Sequence, residues 1–330
     1  EEQSPLHAAS RIRAPLMVVQ GANDPRVNKR ESDQIVVALR ERGIDVAYLV
    51  APDEGHGFAR PVNNLAMIMA MERFLGEHLQ ARFQESATEE VKNRLREITV
   101  DPKDVTLQPR IEPEAGELPE PVTDLRAGVS RYRATLTAGD QMFALEVSSE
   151  IQDAGDKWTA IHTMQTPMGT FTDTVEMEKR TLLARARHIR QGPLQIDLRY
   201  DDHRASGTLS MDGQTKPVAI DLGGPVFADA AGAMESIAAL PLQEGYRAVF
   251  RNVDIDRQKP KWMQLRVLKC EQVTVPAGVF ETYRIEVEPV EGGAGRTTIW
   301  VEKQQRKPVK YQSVLPEMGG ALLTAELLGS

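Results

Sequence analysis

The sequence is poor in cysteine: Cys270 is the only one in 330 residues. An intrachain disulfide is therefore excluded, and so is any zinc site built on cysteine. Long apolar runs are missing too; none approaches the roughly 18 residues of a membrane-spanning helix. There is no basic excess, since 40 Lys and Arg face 48 Asp and Glu for a net charge of −8. Phosphate binding needs clustered cations, so nucleic acid is not expected as a partner. The opening "EEQSPLHAAS" lacks both a basic n-region and an apolar core, so it is not a signal peptide, nor does it resemble a natural start. What is present is ordinary for a globular protein, with 41% hydrophobic and 27% charged residues. The length is long for one domain and comfortable for two.

The acidity is uneven. Residues 1–84 hold 10 basic and 11 acidic side chains, and 85–124 hold 5 and 11. Residues 125–330 hold 25 and 26. The middle stretch contains "TEEVKNRLREI", a charged helical pattern, and then "DPKDVTLQPRIEPEAGELPEPVTD", rich in Pro and Glu. This composition predicts an acidic, proline-bearing connection over 85–124 between an N-terminal unit, 1–84, and a C-terminal one, 125–330.

Residues 14–84 are expected to form β-α-β-α. "PLMVVQ" and "DVAYLVAP" are short continuous apolar runs, the pattern of strands buried on both faces. Between them lies a helical segment with Asn28 as N-cap and Glu31 three residues on. Ile35, Val36 and Leu39 form its apolar stripe, and Gly43 follows as a stop signal. A second helix, "NNLAMIMAMERFLGEHLQARF", carries Leu65, Ile68, Leu75 and Leu79 at helical spacing. Such a crossover makes the strands parallel. Asp24 in "GANDPRV" and His56 in "DEGHGF" then sit on loops at one carboxyl edge, where open α/β sheets place their chemistry. Two strands cannot complete such a sheet, and the front of this α/β unit is expected upstream of Glu1.

From Leu125 the period switches to two. "VSRYRATL", "MFALEVSSE", "WTAIHTM" and similar runs alternate apolar with polar, interrupted by one helical stretch, "DAAGAMESIAAL". About a dozen short strands in succession predict a large, mainly antiparallel sheet, curved or half-open as a barrel to protect its edges.

Each loop motif taken singly is an ordinary turn. Together, "SPL", the strand "PLMVVQG", "NDPRV", "ERG" and "EGHGF" resemble, in order and spacing, the C-terminal end of the catalytic domain of the prolyl oligopeptidase family of serine peptidases. That resemblance implies an α/β-hydrolase fragment carrying the last two members of a Ser-Asp-His triad. By position, Asp24 corresponds to the triad acid and His56 to the general base. Arg26 matches an arginine that binds a substrate carbonyl in some members. No Gly-x-Ser-x-Gly occurs in the 330 residues, so the nucleophile is expected in the missing upstream hydrolase segment. The implied partner is a peptide substrate, and this chain alone is expected to be inactive. No cofactor or metal is implied: His162, His188 and His203 lie far apart on predicted strands without metal-ligand spacing. Trp158, Trp262 and Trp300 are expected to pack a core, and "EGGAG" (residues 291–295) to form a hairpin turn.

The C-terminal half, in "VPAGVFETYRIEVEP" and "TTIWVEKQQRKPVKYQ", resembles uncharacterised β-rich domains of bacterial envelope proteins, half-open barrels around an apolar cavity with a helix as plug. That favours a periplasmic or secreted location over the cytoplasm. It also raises a second function class, a non-catalytic envelope module whose β domain holds an apolar ligand or a protein partner.

Overall fold

The computed structural model describes residues 5–24, 27–107, 118–138, 141–166, 169–255, 257–290, 295–315 and 320–329. Two sheets organise the chain, one of three strands and one of fourteen.

In the small sheet, β1 (Leu16–Gly21) and β2 (Val46–Ala51) run parallel, with Leu16 opposite Val46 and Gly21 opposite Ala51. Helix α1 (Lys29–Arg40) connects them. Its Asn28 side chain caps the Arg30 amide at 2.9 Å, and Gly43 takes φ 71° just beyond its end. Val36 and Leu39 on its inner face are fully buried against Val46, Tyr48 and Val50. Helix α2 (Pro61–Leu79) follows β2. Its apolar positions behave differently from those of α1: Leu65, Ile68, Leu75 and Leu79 are 54%, 41%, 46% and 70% exposed. The α2 residues that are buried are small or polar, namely Asn63, Ala66 and Gly76.

The acidic stretch differs from its expected role as a connection. Its first part folds as α3 (Glu89–Ile98) and β3 (Thr99–Val100), and β3 pairs antiparallel with β2. Val91 and Ile98 are buried with Leu49, Ala51, Phe58 and Ala66. Arg40 of α1 donates to the carbonyls of Pro102 and Val105. The charges that suggest a solvated linker are the outer face of an amphipathic helix, and Val91, Leu95 and Ile98 on the other face suffice to dock it. At the far end, Leu118 packs on the larger core, and the Val122 amide donates to the Ala239 carbonyl. The remainder of the expected connection, 108–117, lies outside the described residues.

The large sheet is a meander. It starts with β4 (Gly128–Ala138), β5 (Gln141–Asp153), β6 (Lys157–Thr166) and β7 (Gly169–Glu178). It continues through β8 (Ala184–Gln191), β9 (Leu194–Tyr200), β10 (Arg204–Met211) and β11 (Gln214–Asp221). After a buried segment and the short helix α4 (Ala233–Ala238) come β12 (Arg247–Asp254), β13 (Lys259–Val275) and β14 (Gly278–Pro289). The last strands are β15 (Thr297–Glu302), β16 (Pro308–Leu315) and β17 (Ala321–Leu327). Every pairing is antiparallel, and β17 returns to β4, so β11 and β12 are the free edges.

One hydrophobic cluster contains Ala205, Val218 and Ile220 near one edge together with Phe250 and Leu265 near the other. Inner faces that far apart in strand order share a core only if the sheet curls on itself. Residues 222–231 and α4 lie in the trough. The Ala184 amide donates to Val226, and the Phe227 amide donates to Arg251, so this segment bridges the two sides. Trp158 and Trp300 are buried as expected of core residues, each with its indole N–H on a carboxylate, Asp124 and Glu271. Residues 291–294 of the expected hairpin turn lie outside the described residues.

The inner face also holds charge. Arg187 pairs with Asp173 at 2.9 Å and Asp229 at 3.3 Å, and Tyr200 donates to Asp229 at 3.2 Å. Burial by itself would push the Arg187 guanidinium down; Asp229 and Asp173 outweigh it and hold it above its ordinary value. For Asp229 burial wins, pushing the carboxyl up despite Arg187. The acid's folded-state value is raised, so its contribution to stability is full below the unfolded value and lost as pH rises through the folded one.

Two outcomes follow. Arg187→Met should cost about 3–5 kcal/mol at neutral pH, because two buried carboxylates lose their counter-charge. The loss should shrink as pH falls and Asp229 takes up its proton. Urea midpoints at several pH values measure this; a flat difference within ~0.5 kcal/mol, typical of surface changes, would refute it. We propose further that the unit boundary falls between 107 and 118, so a chain starting at Leu118 should unfold cooperatively with a β-type circular dichroism spectrum. An unfolded product would show instead that both sheets share one core.

Candidate active site

The carboxyl ends of β1 and β2 carry the two loops that matter. After β1 the chain turns at once: the Ala22 amide donates to Ala51, Asn23 to Glu54, and Asp24 back to Gly21. The Asn23 side chain donates to the Pro52 carbonyl at 2.9 Å. These bonds tie the β1 loop to the β2 loop. Their closeness depends on Gly21, where a Cβ would lie 2.0 Å from the Gly55 carbonyl oxygen. The β2 loop in turn needs Gly57, whose φ of 107° is open to glycine alone without strain.

Asp24 and His56 meet where these loops touch. His56 Nδ1 lies 2.9 Å from Asp24 Oδ2. Asp24 Oδ1 accepts the Val27 amide at 2.9 Å, and the carboxylate is buried with only 7% of its side chain exposed. A carboxylate has no proton to give, so Nδ1–H is the donor and Nε2 is left as the basic nitrogen. The His56 side chain is 47% exposed, open to an approaching group. Asp24 is fixed from both sides and His56 from one. Such a pair can take a proton at Nε2 and stabilise the imidazolium that results. The third expected residue, Arg26, lies outside the described residues together with Pro25.

The sequence reading passes over what holds the His56 loop. Glu54, two residues before the imidazole, is almost fully buried and accepts three hydrogen bonds. These come from the Ala59 amide at 3.0 Å, the Arg60 amide at 2.8 Å and the Asn63 side chain at 2.7 Å. Arg60 is the N-cap of α2 and brings no side-chain cap of its own, so Glu54 supplies the acceptor. Asn63 is completely buried and accepts from Arg94 of α3, whose guanidinium also pairs with Asp53. The helix assigned by composition to the connection thus anchors the loop bearing His56. Glu54 stands inside the quoted "DEGHGF" motif, and its clue was a carboxylate just ahead of a helix start. Arg94 offered no sequence signal, since its partners lie 31 and 41 positions away.

Glu54→Ala should therefore loosen this loop. It leaves two backbone donors unpaired, at roughly 1–3 kcal/mol for each buried group. It also takes one of two acceptors from the Asn63 amide, which keeps Asp53. Hydrogen exchange at Ala59 and Arg60 should accelerate, while the β-sheet unit stays protected. Arg94→Ala should show a smaller effect at the same amides. Unchanged protection there would mean that Glu54 does not organise the loop.

Comparison with known proteins finds matches to two separate stretches of the chain. Residues 1–82 match the Prolyl oligopeptidase family model. In that region Dipeptidyl aminopeptidase BIII of Pseudoxanthomonas mexicana is 54% identical over 81 residues, 24% of this chain and 12% of that protein. Dipeptidyl peptidase family member 6 of Caenorhabditis elegans is 46% identical over 84 residues, 26% of this chain and 11% of that protein. This chain therefore spans only a small part of these relatives' length. Among solved structures, a β-barrel-like protein of a domain of unknown function (DUF1849) from Brucella abortus aligns with 62% of this chain and 98% of its own. Its TM-score is 0.42 at 10% sequence identity. Residues 129–327, more than half of the chain, match the model described as Protein of unknown function (DUF3108), and the chain belongs to that family, with a prolyl-oligopeptidase-type segment at its N-terminal end.

Proposed function

We propose that residues 1–107 contribute the acid–base half of a serine peptidase site, with His56 as general base and Asp24 as the group that orients it. The observation carrying this reading is the 2.9 Å bond between His56 Nδ1 and Asp24 Oδ2 at the carboxyl edge of a parallel strand pair. In the proposed reaction His56 Nε2 takes the proton of a serine hydroxyl as its oxygen attacks a peptide carbonyl. The imidazolium then protonates the leaving amine, and the same pair activates water to release the acyl group. Both similar peptidases are named for dipeptide release, so the proposed substrate is a peptide shortened from its N-terminus two residues at a time. Arg26 is proposed to contact a substrate carbonyl.

The nucleophile is proposed to come from an upstream hydrolase segment, because no Gly-x-Ser-x-Gly occurs here. The exposed apolar row Leu65, Ile68, Leu75 and Leu79 supports this, since α/β sheets of this kind bury such faces under further elements.

The 330 residues alone should hydrolyse dipeptidyl substrates no faster than background. Joined to the upstream segment, they should gain activity. There His56→Ala should lower kcat by several orders of magnitude with little change in substrate binding. Asp24→Asn should also be severe, because it releases the imidazole to the wrong tautomer. Arg26→Ala should act mainly on KM. Full activity in the joined His56→Ala protein would end the peptidase reading, and turnover by the 330 residues would reveal another nucleophile.

A further inference from the structure

The β-sheet unit holds a cavity that shares no lining residue with the Asp24–His56 pair. This cavity of about 480 Å³ opens beside the segment leading into β4, and it is walled by β5, by α4 and by the turn between β15 and β16. Small-molecule sites span roughly 300–1,000 Å³, so this volume admits a ligand of modest size.

The chemistry of the wall is one-sided. Glu235 of α4 lines the cavity, and Ser149 of β5 donates to its Oε1 at 2.7 Å. The other carboxylate oxygen, Oε2, is buried and has no hydrogen-bond partner among the described residues. Among the other buried polar atoms in that condition are His162 Nε2 and the Tyr311 hydroxyl. They belong to the same neighbourhood: His162 stands directly opposite Ser149 in the β5–β6 register, and the Glu235 charge acts on both His162 and Tyr311. Burial pushes the His162 imidazolium down, which favours a neutral ring, and it pushes the Tyr311 phenol up. Tyr132 stacks edge-on against Tyr311 and has already committed its hydroxyl to the Pro308 carbonyl at 3.0 Å. Of these three groups Glu235 is the one that lines the cavity, and its carboxylate is left short of a partner. Leaving such groups unpaired raises the free energy of the folded chain, so a bound donor would be stabilising.

The cation that fits is an ammonium, which brings three N–H donors and one positive charge. A metal ion fits less well, because among the described residues no three His, Cys, Asp or Glu side chains are grouped to hold one. The cavity lining has the opposite character at Arg126, Arg306 and Lys307. Arg306 makes one long hydrogen bond to the Leu240 carbonyl and lies over the Tyr283 ring. The one other acid in the lining, Asp124, accepts from the Trp158 indole and the Leu125 amide at Oδ1. Acid on α4 and base on the entering segment and turn call for a ligand with both charges.

We propose that this cavity binds a small zwitterionic amino compound, an amino acid or short peptide with free termini. Its ammonium sits against Glu235 and its carboxylate faces Arg126, Arg306 and Lys307. This site does not depend on the peptidase reading.

Titration calorimetry on the 330-residue chain tests it with dialanine as probe. Saturable binding is expected. N-acetyl-dialanine, which lacks the ammonium, should bind on the order of tenfold more weakly or not at all, as should dialanine to Glu235→Gln. Dialanine amide should lose less. His56→Ala should leave the affinity unchanged. Equal binding of dialanine and its N-acetyl form overturns the proposal even if Glu235→Gln fails to fold. So does an absence of saturable binding, or binding that disappears in His56→Ala.

Discussion

The hydrogen bond between His56 and Asp24 joins two loops 32 positions apart in sequence, and it exists because their backbones almost touch. Gly21 permits that approach, since any side chain there would collide with the Gly55 carbonyl. Around this contact the N-terminal unit is a set of supports. The parallel register of β1 and β2 brings both loops to one edge. Backbone bonds from Ala22 and Asn23 clamp them, and Glu54 ties the His56 loop to the start of α2. Arg94 then ties it to α3 through Asn63 and Asp53. An acid–base pair works only if the imidazole keeps its orientation, and here orientation is spread over four elements.

The C-terminal unit solves a different problem. A fourteen-stranded meander offers far more inner face than one layer can bury, and curling lets the two ends cover each other. Residues 222–231 and α4 fill the remaining space. Filling a curved sheet with a loop and a six-residue helix brings polar groups inside, and they are handled unequally. Arg187, Asp173, Asp229 and Tyr200 satisfy one another as a buried network. The group around Glu235 is only half satisfied, and it lies next to the cavity. Buried polar groups of the first kind specify a structure; those of the second kind call for a partner, which the proposed ligand would supply.

Much of the fold was legible in the sequence because it rests on local periodicity. The switch from continuous apolar runs to strict alternation marks the change from parallel to antiparallel sheet, and a strand such as β7 alternates buried and partly exposed residues from Asp173 to Glu178. The Asn28 cap and the Gly43 stop are local signals of the same sort. Local patterns misled where charge outweighed them. In α3 the composition of the stretch suggested a solvated connection, and the few apolar residues that dock it carried too little weight. In α2 the helical spacing of Leu65, Ile68, Leu75 and Leu79 was plain, but spacing does not say whether a partner lies against them.

By itself the sequence marked most of the strands and helices, and it placed an acid and an imidazole after consecutive strands of one βαβ unit. Right-handed crossover then puts both on the same edge, so their meeting was implied before any coordinate. The tertiary structure alone decided the rest. It placed Arg94 against Asn63, Glu54 under the start of α2, and Glu235 opposite Ser149, partners separated by 31, 6 and 86 positions. The physical reason is the same each time: a buried polar group must find its partner through space, and no periodicity in the chain records which residue that will be.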